Sequence, residues 1–134
     1  MVTQTGRYAL RTLGYLVDRQ GERVQGREIA AATGIPANYL SKILNQLRKR
    51  GLVASQKGWG GGFALERRAL ALPISEVLEI FEGPRVLNGC IFELRECDDA
   101  NPCPLHHRWQ RVREQYEGML SEVKVADLRA NTRA

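Results

Sequence analysis

At 134 residues the chain is one domain's worth, or one domain with an appended arm, and 43% apolar with 26% charged residues excludes a disordered or collagenous chain. No apolar run approaches the ~18 residues of a membrane span, and Met1 to Arg7 lack the apolar stretch of a secretory signal. The expected compartment is therefore the cytoplasm, where three reduced cysteines point to ligand or redox chemistry and not to a disulfide frame. The net charge of +5 is unevenly divided: residues 1–70 carry 12 Lys/Arg against 4 Asp/Glu, and residues 71–134 carry 8 against 11, so the first half is the one expected to meet a polyanion.

A first helix is expected over Thr5–Arg19, with Tyr8, Leu10, Leu13, Leu16 and Val17 as its core stripe and Gly21 ending it. A second runs from Arg27 to Thr33 and breaks at Gly34. Pro36 opens a third that stops at Gly51, with Leu40, Ile43, Leu44 and Leu47 at i, i+3, i+4, i+7. A helix-turn-helix needs a small residue where its helices cross and a turn residue tolerant of positive φ four positions on. Ala30 and Gly34 fill those places, and Ile35, Leu40 and Ile43 lock the pair.

Residues 52–57 then read as a strand, 58–62 as a tight glycine turn and 63–66 as a returning strand. A β-hairpin directly after such a helix is a wing. A nucleotide-binding phosphate loop is excluded, because no Gly-Lys-Ser/Thr follows and the turn leads to a strand. The polar face of the third helix carries Asn38, Tyr39, Ser41, Lys42, Asn45, Gln46 and Lys49. Asn38, Ser41 and Lys42, near its N-terminus, are expected at base edges, with Tyr39 beside them, and Arg48, Lys49 and Lys57 at phosphates; Gly60 and Gly61 let the wing backbone approach closely.

A short amphipathic helix, 74–81, leads into an irregular stretch with Cys90, six residues, Cys97, five residues, Cys103, and then His106 and His107. Three thiols and an imidazole within 17 residues can converge on one centre. Pro104 suits a helix start, which would place Cys103 at the cap. The long spacers favour an iron–sulfur cluster. Structural zinc normally uses close C-x₂₋₄-C pairs, absent here, and unrelated core cysteines are the third possibility. Spacing alone does not separate His106 from His107.

Leu105, Trp109, Val112, Tyr116, Met119 and Val123 recur at four- and three-residue steps, a heptad seam on one long helix. The expected cover is a second subunit, with packing on the chain's own first helix as a compatible alternative. Residues 125–128 read as a last short turn, and the tail 129–134 as frayed.

Taken together, Gly6-Arg7-Tyr8-Ala9-Leu10, Tyr39-Leu40, the run from Leu47 to Val53 leading into Gly60-Gly61-Gly62-Phe63, and the late cysteine trio resemble the Rrf family of bacterial winged-helix regulators over about residues 1–128. The resemblance implies a mainly α fold with a small β-hairpin wing. It divides the chain into a winged helix-turn-helix head (1–82), a cysteine-rich cluster-binding loop (83–104), and a dimerisation helix with its tail (105–134). It implies a homodimer on a palindromic promoter site in double-stranded DNA, and an iron–sulfur cluster that sets promoter affinity. In the IscR-like branch the ligands are three cysteines and a histidine in Cys-x-x-His. Cys103-Pro104-Leu105-His106 matches, which prefers Cys90, Cys97, Cys103 and His106, and a 2Fe-2S over a 4Fe-4S cluster. The NsrR-like, nitric-oxide-sensing branch completes its site with a first-helix carboxylate. This chain has Arg7 at or beside that position, which disfavours the branch. The first cysteine spacer is one residue longer than in the IscR-like branch, and Ser41-Lys42 replaces that branch's Glu-Gln, so its target sequence does not carry over. A cluster-free regulator responding by cysteine oxidation is the alternative, and an electron-transfer or cluster-carrier protein is a further one. Repression and activation are both compatible with these residues. An enzyme is least supported, since no nucleophile–base pair or paired catalytic carboxylates can be assigned.

Overall fold

The computed structural model describes residues 2–83, 89–92 and 96–129. The expectations for 84–88 and 93–95 within the cysteine stretch, and for the tail beyond Arg129, lie outside these residues.

Helix α1 spans Gln4–Asp18 and starts where the Thr3 hydroxyl accepts from the Gly6 N–H, so a side chain satisfies one of its free donors. Its buried residues include Ala9, Leu13, Tyr15 and Leu16. The expected stripe was half right: Leu13 and Leu16 are buried, but Tyr8, Leu10 and Val17 are half-buried at its edges. The helix is covered on more than one side, by α2 and α3 and by α4, so its core face is wider than one stripe. Tyr15 is buried and its hydroxyl donates to Glu28 at 2.6 Å, joining α1 to α2. Tyr15→Phe keeps the ring and its 5.2 Å stacking with Arg19 but loses this bond. The expected cost is about 1 kcal/mol, read as a Tm lowered by roughly 3–5 °C in calorimetry.

Helix α2 (Gly26–Thr33) ends at Gly34, whose φ of 74° is the left-handed turn that only glycine adopts freely, with its N–H bonded to the Ala30 carbonyl. Arg11 of α1 donates to the Thr33 carbonyl, satisfying a second terminal acceptor. Helix α3 spans Ala37–Lys49. Pro36 sits at its N-cap in extended conformation, one residue earlier than expected; it cannot donate, and its own carbonyl accepts from Leu40. The stripe Leu40, Ile43, Leu44, Leu47 is buried as expected, each side chain contributing roughly 1.5–3 kcal/mol by leaving water.

Strands β1 (Val53–Gln56) and β2 (Gly62–Leu65) pair antiparallel, Val53 opposite Leu65 and Gln56 opposite Gly62. Reciprocal 2.8 Å bonds between Val24 and Phe63 add a bridge that sequence reading did not foresee. The bridge ties the hairpin to the segment before α2. A 3₁₀ turn, Arg67–Ala71, also unforeseen, follows, and Arg68 reaches back to the carbonyls of Arg50 and Gly51 at the end of α3. Helix α4 (Ile74–Glu82) packs on α1, and the Glu82 carboxylate accepts from the Thr3 N–H at 2.7 Å.

Helix α5 spans His106–Glu122. It starts later than expected: Leu105 is the N-cap, and Cys103 lies in the preceding turn with its carbonyl accepting from His106 at 3.0 Å. Cys103 therefore does not cap the helix. The helix also ends before Val123, which is extended, and a 3₁₀ turn at Val125–Asp127 follows as expected. The α5 residue that packs against the head is Leu120, outside the heptad seam; it is buried with Ile74 and Leu78 of α4, with Tyr116 and Val123 at the margin. Backbone bonds from Ile74 to Val123 and from Val125 to Leu72, 2.9 Å each, join the exit of α5 to the entrance of α4. No helix among the described residues is long and apolar enough to cross a membrane.

Candidate nucleic-acid interface and cysteine loop

The burial of one α3 face dictates what the other presents. Asn38, Tyr39, Ser41, Lys42, Asn45, Gln46, Arg48 and Lys49 are all exposed. Ser41 returns its hydroxyl to the Ala37 carbonyl at 3.0 Å, and Arg48 donates to Asn45 at 2.8 Å, so Asn45 and Arg48 are held as a unit. Tyr39 meets Tyr8 of α1 edge-to-face at 6.1 Å between centroids, which steadies it beside the helix start. Between α3 and the hairpin lies a groove of about 560 Å³ lined by Ser41, Asn45, Arg48, Ser55, Lys57 and Phe63.

The hairpin tip is built from glycines for two different reasons. Gly58 and Gly60 have φ of +88° and +70°, while Gly61 is buried and has no room for a side chain. The Gly61 N–H donates to Gly58 at 3.0 Å, and its carbonyl accepts from Gln25 at 2.9 Å. Gly61 thus supports the tip from below, Gly60 and Lys57 are exposed, and Trp59 projects entirely into solvent at 102% relative exposure. Sequence reading took Trp59 only as part of the turn. An aromatic between two turn glycines, with no apolar run to join, was the available clue.

In the cysteine stretch the geometry is partial. Cys90 is buried and its Sγ lies 3.6 Å from that of Cys103. Cys97 Sγ is 3.6 Å from the Gly89 carbonyl. A bridge between Gly89 and Glu96 folds the strand-like ends of the loop together, next to Cys90 and Cys97. His106 is buried with its Nε2 2.7 Å from the exposed Asp99 carboxylate, whereas His107 is exposed and stacks edge-on against His106. Trp109 Nε1 donates to Gly89 at 2.9 Å, tying the first turn of α5 to the loop. Two thiols on one tetrahedral metal with bonds near 2.3 Å stand about 3.75 Å apart, so the Cys90–Cys103 pair fits an iron or zinc centre. The other two donors do not yet join it: among the described residues, no group of three or more His, Cys, Asp and Glu side chains converges. Arg7 is exposed and bonds the Val2 carbonyl; the carboxylate at the start of α1 is Glu82, supplied by α4 and invisible to a search of the first helix.

A glycine-turned helix pair, a second helix with a polar outer face and a hairpin at its flank define a winged helix-turn-helix protein of the DNA-binding regulator class. Residues 2–131 match the Rrf2 model, described as an iron-dependent transcriptional regulator. The chain belongs to the Rrf2 family of transcriptional regulators, and DNA binding comes with that membership. It is 33% identical over 128 residues to an Aquifex aeolicus chain classed among HTH-type transcriptional regulators, covering 94% of this chain and 89% of that one. Against the HTH-type transcriptional regulator IscR of Yersinia pestis it is 30% identical over 128 residues, 95% and 77% of the two chains. The fold is similar to that of CymR, the global cysteine regulator of B. subtilis, at 24% identity and TM-score 0.77 over 100% of this chain and 98% of the other. It is also similar to IscR of T. potens, at 24% identity and TM-score 0.69 over 95% and 84%.

Proposed function

We propose that the chain regulates transcription as a homodimer on a palindromic site, and that its cysteine loop reports iron–sulfur or redox status. In this reading Asn38, Tyr39, Ser41 and Lys42 enter the major groove. Arg48, Lys49, Lys57 and the exposed Gly60 of the wing meet the flanking backbone, while the buried Gly61 shapes the tip and does not itself touch DNA. The head (1–82), the loop (83–104) and the α5 segment (105–134) divide reading, sensing and pairing. Leu105 at the N-cap and Val112 and Met119 on α5 stand seven residues apart and are exposed, which supports a second copy as their cover.

The observation that carries the sensing half is the Cys90–Cys103 thiol pair, 3.6 Å apart at the junction of loop and α5. Cys90, Cys97, Cys103 and His106 are the proposed ligands, with a 2Fe-2S cluster preferred, since α1 offers Arg7 where a carboxylate ligand would be needed. When bound, the cluster supplies a redox-active, loss-prone iron centre. To complete the set, Cys97 leaves the Gly89 carbonyl and His106 exchanges Asp99 for the site. Both changes reposition the loop that Trp109 joins to α5. The two reading heads are then respaced through the dimer helix, a bistable element biased by ligation.

Anaerobic reconstitution with iron and sulfide tests this. Wild type is expected to become coloured, and Cys97→Ala and His106→Ala to retain clearly less iron, with thermal melts of the apo forms separating loss of a ligand from loss of the buried His106 packing. Loaded and apo protein are expected to differ at least about fivefold in DNA affinity. Equal affinity of the two forms refutes the switch.

The same thiol pair favours a second reading, direct oxidation: a peroxide converts one thiolate to a sulfenic acid, and the other thiol displaces water to give a disulfide. A colourless protein after reconstitution, with paired loss of the Cys90 and Cys103 thiols under peroxide, selects it.

A further inference from the structure

Among the described residues, Trp59 has no partner that accounts for its position. It is completely exposed, and at both flanking glycines nothing lies within 4 Å of where a Cβ would stand. Yet the turn beneath it is well secured, by the Gly61–Gly58 bond and by Gln25 reaching across from the start of α2. An indole is thus held out from a braced tip, where exposure gains the fold nothing. Its surroundings are polar and cationic: Gln25, Arg27, Gly58 and Gly60 line a hollow of about 660 Å³ around it, and Lys57 is exposed just before it.

Docking α3 in a major groove fixes where this tip goes. With α3 in a major groove, the cleft between α3 and the hairpin, lined by Ser41, Asn45, Arg48, Ser55 and Lys57, would take one phosphate strand and leave the tip over the adjacent minor groove, which is about 6 Å wide. Apolar side chains reaching that groove enter between base steps and partly unstack them. We propose that Trp59 is a minor-groove wedge that opens one base step under the wing and thereby selects deformable sequence there. Pyrimidine–purine steps (TA, CA/TG) unstack most easily, so they are the sequence it selects. The proposal rests on the DNA-binding reading and adds a specificity determinant to it.

Trp59→Ala and Trp59→Phe in the full-length protein test it, since a fully exposed side chain leaves the fold intact, checked by an unchanged Tm. A pool of random duplexes is selected on wild type and on each variant. Wild type is expected to enrich a TA or CA/TG step at the wing position, and Trp59→Ala to lose that preference while keeping the major-groove positions. On the selected site Trp59→Ala is expected to bind on the order of tenfold more weakly, and Trp59→Phe to retain most of the affinity. The salt slope should stay unchanged, because no phosphate contact is lost. 2-Aminopurine at the step should brighten with wild type and stay dark with Trp59→Ala. Enrichment without a wing preference, or an alanine variant that binds like wild type, overturns the wedge alone. A pool that wild type fails to enrich overturns the DNA reading, and the wedge with it.

Discussion

Gly61→Ala is expected to dismantle the wing and lower DNA affinity about tenfold or more, although Gly61 itself is buried. An alanine Cβ there would stand 2.2 Å from the Gln56 carbonyl oxygen and 2.9 Å from that of Gly58. Both are backbone atoms of the same turn, so no side-chain rotation relieves the contact and the tip must reopen. Overpacking of this kind costs about 1–3 kcal/mol, which predicts a Tm lowered by roughly 4–12 °C. The functional loss is larger in proportion, because Lys57 and the tip are displaced together from where α3 needs them. Gly58→Ala is the control: nothing lies within 4 Å of its Cβ position, so only the φ of +88° is strained, at about 1–2 kcal/mol. Fluorescence anisotropy on a wild-type-selected duplex, with thermal melts of both variants, measures the difference. A Gly61→Ala protein that binds like wild type would show that the wing takes no part in recognition.

The second large effect is expected on α5. Val112 and Met119 are about half exposed, so replacing both with aspartate should leave the fold of one subunit nearly unchanged. Across a paired seam the same carboxylates would face each other in an apolar setting, and a desolvated like-charge pair is prohibitive. The expected product is a folded monomer in sedimentation. Because one head loses the benefit of its linked partner, affinity for a palindromic duplex should fall by roughly 10²–10⁴. Leu120→Ala supplies the contrast, since Leu120 is buried against α4 and its loss should lower stability in each subunit. Dimers that persist in the double aspartate variant would move the subunit interface off this stripe.

The parts legible in the sequence are those governed by local periodicity and by glycine. The α3 stripe, the Gly34 turn and the hairpin each follow from spacings within about a dozen residues, and each was located to within two residues. What escaped detection depends on distant pieces meeting. The Val24–Phe63 bridge joins segments nearly forty positions apart, Glu82 reaches the start of α1 across most of the chain, and Leu120 is buried because α4 happens to lie beside it. The seam on α5 was readable as a pattern, but periodicity does not say which residue of a wide apolar face turns inward. In the cysteine stretch, spacing suggested four donors. Among the described residues the fold brings Cys90 and Cys103 together, while Asp99 and the Gly89 carbonyl engage the other two. Polar partners such as these leave no periodic trace.

Among the described residues, helix α5 is fastened to the head at its far end and to the cysteine loop at its near end. Leu120 and the two backbone bonds at Val123 and Val125 hold its far end to α4, whereas its near end is attached through the Cys103 carbonyl and the Trp109–Gly89 bond. Leu120 is therefore a fulcrum, with an arm of about 21 Å running back to His106. Tilting that arm by about 10° swings its tip by roughly 4 Å, about the width of one side chain. In the proposed dimer, lever geometry of this kind would convert a sulfur-scale adjustment in the loop into a displacement that the partner helix registers.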